Sequence, residues 1–202
     1  MRLRCIALLI TGMLTMLAFA QTSPAEPVLQ STGNYNMFSA GDSMLSLSAG
    51  LGLGVGFFDA EGSYLEPNLK PAVNIGLSYM MYASPNLSFG GEFDGCFYET
   101  ARDRQFFFAP LMAKAAWTFD LSPFMIIPHF GLGMGISVLG DNLRHVDALA
   151  SIGSSFAWRY NADVSYELKL RFDIVPQFYI DTPQSNATMI LFGIMVGANY
   201  HL

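Results

Sequence analysis

The chain has 202 residues, of which 52% are apolar and 13% charged, and its formal net charge at neutral pH is −6. That acidic balance argues against a nucleic-acid partner or a polybasic membrane-surface role. After the first twenty residues no apolar run approaches the roughly 18 to 20 residues that a membrane-spanning helix requires, so the apolar content is dispersed rather than concentrated.

Arg2 and Arg4 precede an apolar run over residues 5–17, and Ala18-Phe19-Ala20 forms a small-x-small cleavage site. This reads as a secretory signal peptide over residues 1–20. Cys5 leaves with it, and Cys96 is then the only thiol of the exported chain, so no intramolecular disulfide holds the fold. Residues 21–41, with Pro24 and Pro27, show no sustained period and read as an N-terminal periplasmic arm.

From residue 42 onward a two-residue period takes over, the signature of strands with one apolar face. Leu45, Leu47, Ala49, Leu51, Leu53, Val55 and Phe57 alternate with serines and glycines. The next segments place outward Leu69, Val73, Ile75, Leu77, Tyr79 and Met81, then Leu87, Phe89, Phe93 and Phe97, then Phe107, Leu111, Ala113, Ala115, Trp117 and Phe119. Parity flips across Ser122-Pro123. The outward set becomes Phe124, Ile126, Phe130, Leu132, Met134, Ile136 and Val138, then Ile152, Phe156, Trp158 and Tyr160, then Val164 to Ile174 at even positions. The last segment runs apolar at alternate positions to Leu202, as a strand does that must close against the first. Together these predict an all-β fold: an up-and-down, eight-stranded antiparallel transmembrane β-barrel over residues 42–202.

The connections alternate in length. Tight turns fall near Ser84-Pro85-Asn86, Ser122-Pro123 and Asn161-Ala162, and longer loops near residues 59–67, 99–104, 140–147 and 181–188. Short turns on the periplasmic side and longer loops outside are the barrel pattern. Aromatic residues cluster near the turns (Trp117, Phe124, Trp158, Tyr200) and near the loops (Phe57, Phe97, Phe107, Phe178), as two interfacial girdles would.

Ala109-Pro110-Leu111-Met112-Ala113, followed by Ile127-Pro128-His129-Phe130-Gly131-Leu132-Gly133, resembles the Pro-Pro-x-Leu-Met and Pro-Tyr-x-Gly-x-Gly segments of the outer membrane protein W family of small bacterial barrels. Ala109 and His129 depart from that pattern, and the chain ends in Leu202 where the family has phenylalanine. The resemblance implies a bacterial outer-membrane location, outer-membrane lipid around the wall, recognition of the C-terminal strand by the barrel-assembly machinery, and sideways passage of small hydrophobic compounds from the lumen into the membrane.

Parity assigns nearly all strand charges to the lumen: Glu92, Asp94, Lys114, Arg159, Glu167, Lys169, Arg171 and Asp173. Buried there, they must pair or be wet. They form either a plugging ion-pair network or the lining of a narrow path. Inward Tyr98, Phe106, Phe108 and Met112 are candidates for an apolar vestibule above this belt, because the many inward glycines leave space that side chains or a ligand must fill. Pro71, Pro110, Pro128 and Pro176 each remove a ladder donor and predict breaks in the wall.

His129, His145 and His201 are scattered, His145 falls in a loop, and the lone His145-Val146-Asp147 pair has no positioned serine, so neither a catalytic triad nor a metal set is expected. No cofactor is called for. The sequence therefore points to a narrow channel or carrier for small molecules, hydrophobic ones included, with an unidentified solute. The alternative is a closed barrel serving envelope integrity or surface adhesion.

Overall fold

The computed structural model describes residues 38–100, 102–140, 143–177 and 186–202. The expected signal peptide, most of the N-terminal arm and Phe178 lie outside them. Ten strands follow in chain order: β1 Ser43–Asp59, β2 Tyr64–Leu65, β3 Ala72–Ser84, β4 Leu87–Glu99, β5 Gln105–Trp117, β6 Phe119–Leu121, β7 Phe124–Leu139, β8 Leu143–Arg159, β9 Val164–Gln177 and β10 Ala187–His201. Eight are long. The short β2 folds back on the end of β1, and β6 continues β5 against β7.

Every long strand pairs antiparallel with its chain neighbour, and β1 closes against β10 from Met44↔His201 to Asp59↔Ala187. Beyond the ladder, Ser43 and Leu202 exchange backbone hydrogen bonds of 2.8 and 3.0 Å. The result is a closed eight-stranded barrel in which every long strand has a ladder partner on both sides, so most of the backbone is satisfied within the sheet, as a hydrocarbon environment demands.

The alternation sorts side chains as the sequence predicts. Leu47, Leu51, Ile75, Phe93, Leu111, Leu132, Ile152 and Phe172 face outward and are exposed, whereas Glu92, Asp94 and Arg171 are almost wholly enclosed. Between their end residues, the outward positions of β3, β4, β5, β7, β9 and β10 carry no charged side chain. Trp117, Phe124, Trp158 and Tyr200 lie exposed at the turn end of this apolar belt.

Four expectations are corrected. A bulge between Gly54 and Gly56 shifts the parity of β1, so Phe57 turns inward instead of joining the outer girdle. Leu69 lies before β3, bridges Thr100 and packs on the inner core rather than facing lipid. The loop expected over residues 140–147 is mostly strand, because β7 and β8 pair up to Leu139↔Leu143, and His145 therefore belongs to β8. Pro71 precedes β3 instead of interrupting it, at a slip of register between Leu69↔Thr100 and Val73↔Phe97.

Candidate functional site

Three layers fill the lumen. At the turn side Phe38, Met44, Met80, Tyr82, Met125 and Ile127 pack together, with the Phe38 ring stacked on Tyr82 at 3.9 Å between centroids. At the loop side Cys96, Tyr98, Phe108, Met112, Val175 and Leu191 form a second apolar cluster. The charged belt lies between them.

The belt is organised by β9, whose alternation sends Glu167, Lys169, Arg171 and Asp173 inward in succession. Arg171 is paired with Gly153 on β8 and Gly193 on β10. It reaches β4, where Nη1 donates to Glu92 Oε1 at 2.5 Å and to Asp94 Oδ2, and it also holds Asp173 at 2.9–3.0 Å. Glu92 accepts in addition from Lys114 at 2.5 Å and from Lys169 at 3.1 Å, and Lys169 lies 3.7 Å from Glu167. Three cations thus face four carboxylates (Glu92, Asp94, Glu167, Asp173), one negative charge in excess. Charge-assisted bonds in a low-dielectric interior are strong when ions are matched, and clustering pairs all three cations while Asp94 Oδ1, Glu167 Oε1 and Asp173 Oδ1 stay without a hydrogen-bond partner.

Seven of the eight expected belt residues come together. Arg159 does not: its Nη2 donates to Asp120 Oδ2 at 2.9 Å at the turn-side rim, because the last inward position of β8 lies beyond the reach of the belt.

The glycine space is occupied by neighbours. A Cβ on Gly135 would collide with the Phe108 ring, one on Gly52 would meet the Tyr98 hydroxyl at 2.7 Å, and one on Gly153 would meet His129 Nε2 at 2.6 Å. Tyr98, Phe108 and Met112 are therefore a packed floor rather than the open vestibule expected of them. Phe106 alone of the four lines a cavity, of about 440 Å³, at the loop-side mouth. Its other apolar walls are Phe57, Leu65, Leu69, Leu139 and Met189, none of which the alternation assigned to a site. The bulge signal in Gly54-Val55-Gly56 and the proline after Lys70 were the only local hints.

Each remaining proline marks a ladder gap. Pairing of β4 with β5 lapses opposite Pro110, between Phe93↔Leu111 and Cys96↔Phe108. It lapses again on β7 at Pro128, between Ala116↔His129 and Phe119↔Ile126. The widest gap adjoins Pro176: β8 and β9 pair only up to Ala150↔Ile174, leaving Asp147–Leu149 and Val175–Gln177 unladdered against each other. His145 and Gln177, on the two sides of this seam, both line the cavity.

The histidines lie apart. His129 is buried at the lower edge of the belt, and His145 Nδ1 sits 3.2 Å from Asp147 Oδ1 at the mouth. His201 Nε2 lies 3.1 Å from Ser165 Oγ at the turn end. Ser165 is fully buried and no carboxylate is bonded to His201 Nδ1, so this pair has neither access for a substrate nor an orienting acid. Among the described residues no three metal-ligating side chains converge.

The same fold occurs in solved outer-membrane barrels. The chain is 12% identical to Neisserial surface protein A, with a TM-score of 0.57 over 79% of this chain and 96% of that one. It is 10% identical to the outer membrane protein OprG from Pseudomonas aeruginosa, with a TM-score of 0.54 over 84% of this chain and 99% of that one. These likenesses concern the fold. With the uncharged apolar belt they make the protein an outer-membrane β-barrel. No curated protein matches the sequence. A protein-family model that carries no functional description matches residues 23–200, most of the chain, and the protein belongs to that family.

Proposed function

We propose that this barrel is a carrier that takes up small apolar or amphipathic molecules at its outer mouth and releases them sideways into the membrane, rather than a channel running through the lumen. The observation that carries the reading is the cavity of about 440 Å³ above a packed floor, beside the β8–β9 seam. Small-molecule pockets are typically of this size and apolar, with a few convergent polar groups. A solute entering here meets Phe108 and Met112 below, whereas the unladdered segment beside Pro176 opens toward lipid. The resemblance of the Pro110 and Pro128 segments to the outer membrane protein W family supports the same lateral route.

The test is reconstitution of the barrel, in parallel, into planar bilayers and into lipid vesicles. A carrier of this kind passes no discrete ionic current, yet speeds transfer of a neutral apolar dye into the vesicle membrane, and Ser137→Trp, which puts an indole at a small lining residue of the cavity, removes the acceleration. Discrete currents altered by Lys169→Ala and Arg171→Ala would instead establish a path through the belt. The second reading, a closed barrel for envelope integrity or adhesion, is favoured by the density of lumen packing. It predicts neither current nor dye transfer, and adhesion that follows the four outer loops when they are grafted onto an inert barrel.

A further inference from the structure

The polar groups at the outer cavity are electrically one-sided. Among the described residues its lining contains the carboxylate of Glu66 and neither lysine nor arginine. Lys70, the cation nearest along the chain, is held at the rim by Asp103 at 2.7 Å and Glu99 at 3.7 Å. One inward step along β8 from the lining residue His145 lies Asp147, 5% exposed, with Gly135 opposite it on β7. Asp147 Oδ1 meets His145 Nδ1 at 3.2 Å, but its Oδ2 is buried without a hydrogen-bond partner. Asp147 is not itself part of the cavity lining but lies one inward position beyond the lining residue His145; a carboxylate oxygen left unmatched there is under-solvated, and a ligand whose positive N–H donor reaches past His145 relieves that deficit. By sequence, the outer segments 59–70, 99–104, 140–144 and 178–186 carry seven carboxylates against four basic side chains. The approach to the mouth therefore also favours cations.

Resting on the carrier reading, we propose that the ligand class is cationic amphiphiles, molecules with a compact apolar body and a protonated amine. The body packs among Phe57, Phe106 and Met189, and the ammonium lies toward His145 and Asp147, with Glu66 at the entry. Anionic amphiphiles such as fatty acids are rejected, because their carboxylate would be brought toward Asp147 with no lysine or arginine among the described lining residues to match it.

The proposal is tested by calorimetric titration of the full-length protein, expressed to the outer membrane and transferred to zwitterionic lipid nanodiscs. Octylammonium, octan-1-ol and octanoate are titrated at pH 7 with empty discs subtracted. Octylammonium is expected to bind at least about tenfold tighter than octanoate, with octan-1-ol between them. Glu66→Gln and Asp147→Asn should each narrow that ratio, and Ser137→Trp should abolish binding of all three. If octanoate binds as well as octylammonium in a Ser137→Trp-sensitive manner, the cationic preference is overturned and the carrier stands. An octylammonium preference that neither carboxylate variant changes overturns the assignment to Glu66 and Asp147. Binding that Ser137→Trp leaves untouched, or no binding at all, overturns the cavity reading itself. Should Asp147→Asn fail to give the heat-modifiable folded band on gels, the wild-type ratio and the exposed Glu66→Gln variant still decide.

Discussion

Glu92 carries the largest share of the internal electrostatics, because three cations converge on its two oxygens. Removing that charge leaves Lys114, Lys169 and Arg171 under-compensated in a dry lumen, and breaking a buried pair costs about 3–5 kcal/mol. Glu92→Gln should lower the unfolding free energy in urea by that order, whereas Asp120→Asn, which frees Arg159 at the wet rim, should cost under about 1 kcal/mol. Gly135 is the complementary case, a residue defined by what fills its place. Gly135→Ala drives a methyl group into the Phe108 ring, and such overpacking costs about 1–3 kcal/mol. Combining it with Phe108→Leu should recover part of the loss, a coupling that a double-mutant cycle in urea would measure. If the two changes simply add, the ring and the glycine are not an interlocked pair.

At the scale of the strand, parity decides which face of each element meets lipid, and prolines decide where the wall is weakest. β9 loses its partner β8 above Ile174, at the level where Pro176 has no N–H to donate. Pro176→Val restores the donor. It should slow amide exchange over Asp147–Leu149 by an order of magnitude or more, read by hydrogen–deuterium mass spectrometry, and should reduce dye transfer if the seam is the exit. Exchange that stays fast after the change would mean that proline is not what holds the seam open. The strand assignments were legible from alternation because a one-residue slip would exchange the lipid and lumen faces of a whole strand. The inward turn of Phe57 was not, since a bulge adds a residue without altering the composition of the segment.

For the molecule as a whole, the uncharged exterior and the charged interior invert the arrangement of a water-soluble protein, and the lumen takes the part of the core. Leu132 stands outward in the middle of β7, paired with Ala113 and Ala150 and exposed to lipid. Leu132→Arg should destabilise the barrel in bilayers by about 2–4 kcal/mol, the cost of a cation at the midplane of a barrel wall. A change of negligible size in folding titrations into vesicles would place that face away from lipid. Apolar clusters lie on both sides of the belt, so an ion passing along the lumen would have to cross one packed layer before the belt and a second after it.

By itself the sequence determined the barrel, its strand number, the outward apolar face, and the group of charges that must lie inside, since all of these follow from a period of two and from the cost of an unmatched charge in lipid. Only the tertiary structure decided which of those charges meet. Arg171 finds Glu92 and Asp94 across the lumen, while Arg159 is left at the rim. It also decided that Tyr98, Phe108 and Met112 are floor and not vestibule, and that the cavity belongs to Phe57, Leu69, Phe106 and Met189. The reason is physical: alternation specifies the face of a residue, but its neighbours across the barrel depend on register, shear and bulges, which are properties of the closed sheet and not of any one strand.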